Sequence, residues 1–403
     1  MLLLNRKRLL DIGLYSLFFG IFLGGGIYLL NTALIPSRLG ILSGLLFIVF
    51  YISRKVEIKK FKVDIYTKFI MLLFVFQFFI NIIVTIIHSD VDFTKFIQYI
   101  VLYSLIFLLI VYAIIDKYRY LKSLYYTSMI FMFILMIVTY WEITTGNHFS
   151  FSKTYEMAEI YSYMPTAFYR NQNDMMAIIS FIIIFNLLYI KYYNLKSIFI
   201  HKLIFSLQYV SAVILSFITE ARLATLTLGI FMFINLKLLY KILTFFIISV
   251  VILTNQEVYT FSERFFMQFE GNSDLIRLNL ILDAFKNISI FGYGIDNSDL
   301  LYLSLNDFKL MGIVNPHNYL IEILINSGYI IFLLFFLLST IFAFILIYHK
   351  SFILASTVFF YYFVLMASSS SIFLYPHYIF FVAFLMLGTD KIYKSKSLNY
   401  LNK

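Results

Sequence analysis

The chain has 403 residues, 62% of them hydrophobic, 20% aromatic and only 13% charged, with no cysteine and a mean hydropathy of +0.90. A soluble domain is about 45–50% apolar and about 25% charged, so this composition lacks the polar residues to coat a globule in water and describes an integral membrane protein. Zero cysteines exclude disulfides, thiolate zinc sites, iron–sulfur clusters and cysteine nucleophiles, and the net charge of +10 would speak for nucleic acid only if it were gathered on one soluble face.

A membrane helix takes about 20 mostly apolar residues, because the hydrocarbon core is about 30 Å thick. Twelve stretches meet or approach that length: 9–30, 37–52, 65–87, 96–115, 124–141, 174–190, 203–219, 223–240, 242–254, 328–348, 352–368 and 372–389. The fold class expected is an all-α integral membrane protein of about twelve transmembrane helices in one polytopic domain over 1–403. Arg6-Lys7-Arg8 precedes the first stretch, which runs on without a small-residue cleavage site, so a retained signal anchor is expected.

Basic residues in short loops stay on the cytoplasmic side. With the amino terminus inside, 22 of the 31 Lys and Arg fall in inner segments beside five acidic residues, and nine fall outside beside sixteen. The net charge of the sequence therefore divides into +17 inside and −7 outside. Both termini are expected in the cytoplasm. Two large extracytoplasmic loops are expected at 142–173 and 255–327, the second carrying helices that lie on the membrane surface.

Tyr169-Arg170-Asn171-Gln172-Asn173-Asp174 marks the return of the first loop into the membrane. Arg222 stands in the tight turn Thr219-Glu220-Ala221-Arg222 between two apolar stretches, either paired with Glu220 or presented to an outer cavity as an anion ligand. Arg277 opens a run with apolar positions at 278, 281, 282 and 285, the spacing of a surface helix. That run ends at the glycine-rich turn Phe291-Gly292-Tyr293-Gly294.

In Asn315-Pro316-His317-Asn318, Asn315 suits an N-cap and Pro316 a first helical position, which would set His317 in the first turn. There the helix dipole favours a neutral imidazole and attracts anions. Asn318, Glu322 and Asn326 recur every fourth residue, a polar stripe on an otherwise apolar helix. His88-Ser89-Asp90-Val91-Asp92 holds an Asp-x-Asp pair without further metal ligands nearby.

The order of these features resembles the O-antigen ligase and polymerase family, which includes capsular and exopolysaccharide polymerases. The resemblance rests on a hairpin arginine (Arg222), then Arg277 with Ala284-Phe285 and Phe291-Gly292-x-Gly294, then His317-Asn318-x-Leu320-x-Glu322-x-Leu324 and Gly328. It covers about residues 165–330 and departs from the family in lacking the tryptophan expected near Leu280 or Ile281. The resemblance implies transfer of a glycan from an undecaprenyl-diphosphate carrier to an acceptor sugar on the outer face of the bacterial plasma membrane. The route implied is inverting, without metal or other cofactor. In those roles Arg222 and Arg277 would neutralise the lipid diphosphate, with Arg170 a further ligand. His317, with Glu322 next, would deprotonate the acceptor hydroxyl, and Asn173, Asn318, Glu322, Gly292 and Gly294 would line the substrate. The partners implied are the lipid-linked oligosaccharide, membrane lipid, and a chain-length regulator and flippase of the same pathway; nucleic acid is not among them. A ligase moving finished glycan to a final acceptor uses the same donor and is the alternative within the family. A lipid-linked oligosaccharide flippase is the alternative of another class, disfavoured because the charges cluster at segment ends.

Overall fold

In the computed structural model the described residues are 2–23, 40–46, 49, 64–87, 93–149, 165–169, 172–193, 195, 199–219, 221–235, 281–282, 284–295, 318–360 and 375–401. Of these, 2–10, 93–95, 222–223, 232, 235, 319, 360, 375–376 and 393–401 are described in backbone only. Among them 88% are helical and none lies in a strand, so the fold is all-helical. The helices are α1 (Leu2–Phe22), α2 (Ile65–Ile87), α3 (Phe93–Ile115), α4 (Lys117–Thr145), α5 (Gln172–Tyr192), α6 (Phe199–Ile218), α7 (Arg222–Asn235), α8 (Tyr319–Tyr348), α9 (Phe352–Phe360) and α10 (Tyr375–Leu401).

Six stretches among the described residues are long and apolar enough to cross a membrane: Ile65–Ile87, Phe96–Ile115, Lys117–Thr145, Gln172–Tyr192, Phe199–Ile218 and Leu320–Tyr348. They match six of the expected spans, four of them with earlier starts, at 117, 172, 199 and 320 against 124, 174, 203 and 328. α4 begins at Lys117 rather than 124 because Asp116 caps it, its carboxylate accepting the Arg119 backbone N–H at 3.2 Å. α8 begins at Tyr319, which corrects the expected start at Asn315-Pro316. Its cap is Asn318, with extended backbone and an Oδ1 that accepts from Leu320 N at 3.0 Å and Ile321 N at 3.3 Å. Both asparagines suit a cap by type; the one whose side chain folds back on the first-turn donors decides the boundary. Of the other expected spans, 9–30, 223–240, 352–368 and 372–389 overlap α1, α7, α9 and α10, and 37–52 overlaps helical residues 40–46, but none of these is among the six stretches; 242–254 lies outside the described residues.

The interior is built around α5 and α10. Every residue from 174 to 186 and from 377 to 389 is buried, as a helix apolar on all sides requires. α10 packs against α1, α3, α4, α5 and α9, and α5 against α4, α6, α7 and α10. The outer helices bury one face and expose another that is equally apolar. α6 exposes Phe199, Leu203, Leu207, Val210, Ile214 and Phe217 at helical spacing while burying Gln208, Ala212 and Ser216. Apolar outside and polar inside is the pattern that lipid selects.

Where helices approach most closely, small residues make it possible. A Cβ added to Gly20 of α1 would stand 2.9 Å from the Gly40 Cα, and the Ser16 and Ser43 hydroxyls are 2.9 Å apart beside them. Charges gather at one end of the bundle. Arg119 reaches Asp11 of α1 at 3.1 Å and Asp116 at 3.7 Å, and Lys117 pairs with Asp390 of α10.

Candidate functional site

Inside α8 the backbone leaves helical geometry at one residue. Gly328 has φ 75° and ψ −177°, a region open essentially to glycine, and it divides α8 into a short first half (319–327) and a long second one. A break of this kind leaves the preceding carbonyls short of donors, and in lipid each such group must be satisfied within the protein. The glycine-rich arm supplies them: Tyr293 N–H donates to Ile325 O at 2.8 Å and Gly294 N–H to Asn326 O at 3.1 Å. Gly292 (φ 79°) lies so close that a Cβ there would stand 2.6 Å from Gly328 N. Tyr329 Oη donates to Phe285 O, and Ala284 and Ile288 of the arm pack on Ile321, Leu324 and Ile325.

α2 fastens this junction from the other side. Its buried face carries Gln77, Asn81 and Thr85 at every fourth position. Gln77 Nε2 donates to Ser327 Oγ at 3.3 Å, next to the break. Thr85 Oγ1 accepts the Ile295 N–H at 2.8 Å and donates to Asn81 O at 2.5 Å, while Asn81 Nδ2 donates to Tyr99 of α3. Sequence reasoning passed over these three residues. The signal that marks them is the spacing of polar side chains within a 23-residue apolar helix, where polar groups turn inward to a partner.

A second missed residue holds the loop between α4 and α5. Glu142, near the end of α4 and 3% exposed, accepts three backbone N–H groups: Phe149 at 2.7 Å, and Thr166 and Ala167 at 2.8 Å each. One carboxylate thus joins both ends of the loop. Ala167 adopts φ 48°, unusual for a residue with a side chain, and its N–H is one of the three donors. Tyr169 Oη donates to Phe22 O of α1 at 2.5 Å. Burial, and then the Asp174 carboxylate, push the Tyr169 phenol well above its ordinary range, so it remains a donor.

The sequence-derived site residues distribute as follows. Gly292 and Gly294 meet the half-helix that carries Asn318 and Glu322, so two separate motif blocks come together. The amides of Gly292 and Gly294 are given to Ser289 O (3.3 Å) and Asn326 O, so these glycines let the arm approach α8 and present no N–H to a ligand. Asn318 spends its carbonyl on the cap, and Glu322 is buried one turn further on. Asn173 is exposed in the first turn of α5, which packs chiefly on α4, α6, α7 and α10 rather than on α8. Arg222 is the first residue of α7, after a hairpin from α6, with its side chain outside the described residues. Arg170, Arg277, His317 and the Asp90-Val91-Asp92 stretch lie outside the described residues altogether; with α8 capped at Asn318, His317 precedes the helix and does not belong to its first turn. Among the described residues no three His, Asp or Glu side chains are gathered as a metal site.

No protein-family model, no curated protein and no solved structure matches the chain.

Proposed function

We propose that this chain is a membrane glycosyltransferase of the polysaccharide polymerase type. It would extend a glycan carried on undecaprenyl diphosphate at the outer face of the bacterial plasma membrane, within a bundle of about twelve spans whose termini are both cytoplasmic. The observation that carries this reading is the joining of two motif blocks. The arm holding Gly292 and Gly294 is hydrogen-bonded to the broken helix that Asn318 caps and Glu322 occupies, in the order the resemblance requires. Grouping of Asp11, Arg119, Lys117 and Asp390 at one end, all from segments read as inner by their charge, supports the orientation.

The chemistry follows from the leaving group. Departure of a lipid diphosphate develops negative charge, which planar arginine forks offset; Arg222 and Arg277 take that role, with Arg170 as a further ligand. Inversion needs a base on the acceptor hydroxyl, a task typically worth about 10²–10⁴-fold. His317 or Glu322 supplies it. Glu322 is buried one turn beyond the Asn318 cap, and His317 directly precedes that cap in the sequence.

Deleting the gene and sizing the lipid-linked products tests the reading. Accumulated single repeat units support a polymerase, long carrier-linked polymer points to a ligase, and repeat units trapped on the inner leaflet point to a flippase. Alanine at Arg222, Arg277 or His317 is expected to abolish long polymer while the protein stays in the membrane. Unchanged polymer from all three variants overturns the site.

A further inference from the structure

We infer that Thr85 and Gln77 of α2 are positioning residues for Glu322, an inference that rests on the function proposed above. Polar side chains in a spanning helix are costly and turn toward a partner; here the partners are Ser327, in the first half of α8, and Ile295, in the arm hydrogen-bonded to that half. Gln77 holds that half at its end, through Ser327 immediately before the Gly328 break. Thr85 holds it indirectly. Its hydroxyl receives the Ile295 N–H, and the two residues before Ile295 donate their amides to Ile325 and Asn326. The contact is fitted closely, since a Cβ on Gly294 would stand 2.6 Å from Thr85 Oγ1.

Simple helix-to-helix glue does not describe this arrangement. Thr85 grips a loop N–H, not a neighbouring helix, and its own proton goes to Asn81 O of the same helix. The hydroxyl is therefore satisfied as both donor and acceptor only while the arm is seated. A half-helix of nine residues, cut from the rest of α8 by an irregular glycine, has little stiffness of its own. Glu322 lies within it, so the direction of that carboxylate is set by the two attachments. A base misplaced by about 1 Å loses on the order of 10²-fold in rate.

The cysteine-free sequence allows a direct test. Ile295, 4% exposed, is replaced by Cys and its maleimide labelling followed in isolated membranes, alone and with Thr85→Val or Thr85→Ser. In parallel, Thr85→Val, Thr85→Ser, Gln77→Leu and Glu322→Gln, each without the reporter cysteine, are assayed with lipid-linked repeat units extracted from a strain lacking the gene. Expected are labelling at least about tenfold faster with Thr85→Val, and a rate at saturating repeat unit lowered at least about tenfold by Thr85→Val and by Gln77→Leu, with the half-saturating concentration unchanged. Thr85→Ser should restore both readouts to within about twofold. Labelling that Thr85→Val leaves slow overturns the attachment. Faster labelling with an unchanged rate, or a change confined to half-saturation, overturns the positioning role. Full activity in Glu322→Gln overturns Glu322 as the group positioned and removes it as the base of the proposed reaction, while the labelling result still scores the attachment by itself.

Discussion

Replacing Glu142 with Ala should release the base of the loop between α4 and α5. The carboxylate accepts from three backbone N–H groups, of which those of Thr166 and Ala167 are buried. Removing a buried acceptor costs about 1–3 kcal/mol for each donor left unsatisfied; for two such donors the cost is about 2–6 kcal/mol. Each 1.4 kcal/mol is about a factor of ten in an equilibrium, so the local opening constant should rise at least about 30-fold. Glu142→Gln keeps one carbonyl oxygen for the Thr166–Ala167 pair and turns its amide toward Phe149. It should lose about 1 kcal/mol, or about fivefold. The readout is the rate at which a single cysteine at Phe168, 3% exposed, reacts with maleimide in membranes, where labelling is slow relative to reclosing. The only tryptophan, Trp141, stands 6.4 Å from the Phe149 ring, so its emission reports the same opening without a label. A Glu142→Ala protein that labels at the parental rate refutes the clasp.

Gly328→Ala should be poorly tolerated. Its backbone region costs about 1–3 kcal/mol for a residue with a side chain, and a Cβ would lie 2.1 Å from Ile290 O, forcing the arm off α8 with two hydrogen bonds of about 1 kcal/mol each. Gly146→Ala is the control: φ is 68° but nothing lies within 4 Å, so only about 1 kcal/mol is expected. Thermal melts of the two variants in detergent should rank accordingly. Ala167→Gly relieves the positive φ while keeping the N–H to Glu142 and should melt at or slightly above the parent. Asp390→Asn breaks the pair with Lys117, whose side chains are 19% and 31% exposed. It should cost at most about 1 kcal/mol, with the difference shrinking at high salt; a larger, salt-insensitive loss would show that the pair is not screened as its exposure implies.

Much of the fold was legible because hydropathy is a local sum. The stretches 65–87, 96–115 and 174–190 declare themselves by composition, and their helices begin and end within a few residues of those bounds. Boundaries set by a single hydrogen bond were harder: Asp116 and Asn318 fix the starts of α4 and α8 through side chains whose rotamers no sequence states. Of the site, the polar stripe of α8 and the glycine turn were both visible, yet their relation was not. Gly292 and Gly294 look like a ligand cradle in the sequence and act as a close backbone fit in the structure.

The sequence by itself determined that the chain belongs in a membrane, since 62% hydrophobic residues gathered in stretches of about 20 leave too few polar groups to face water. It also carried the order of the motif residues. Only the tertiary structure decided that α5 and α10 form the interior, that Gln77 meets Ser327 and Thr85 meets Ile295, and that Glu142 closes a loop. Those pairs are separated by 250, 210 and up to 25 residues. In lipid, where apolar surfaces do not distinguish a helix from its solvent, the geometry of such polar contacts selects which helices become neighbours.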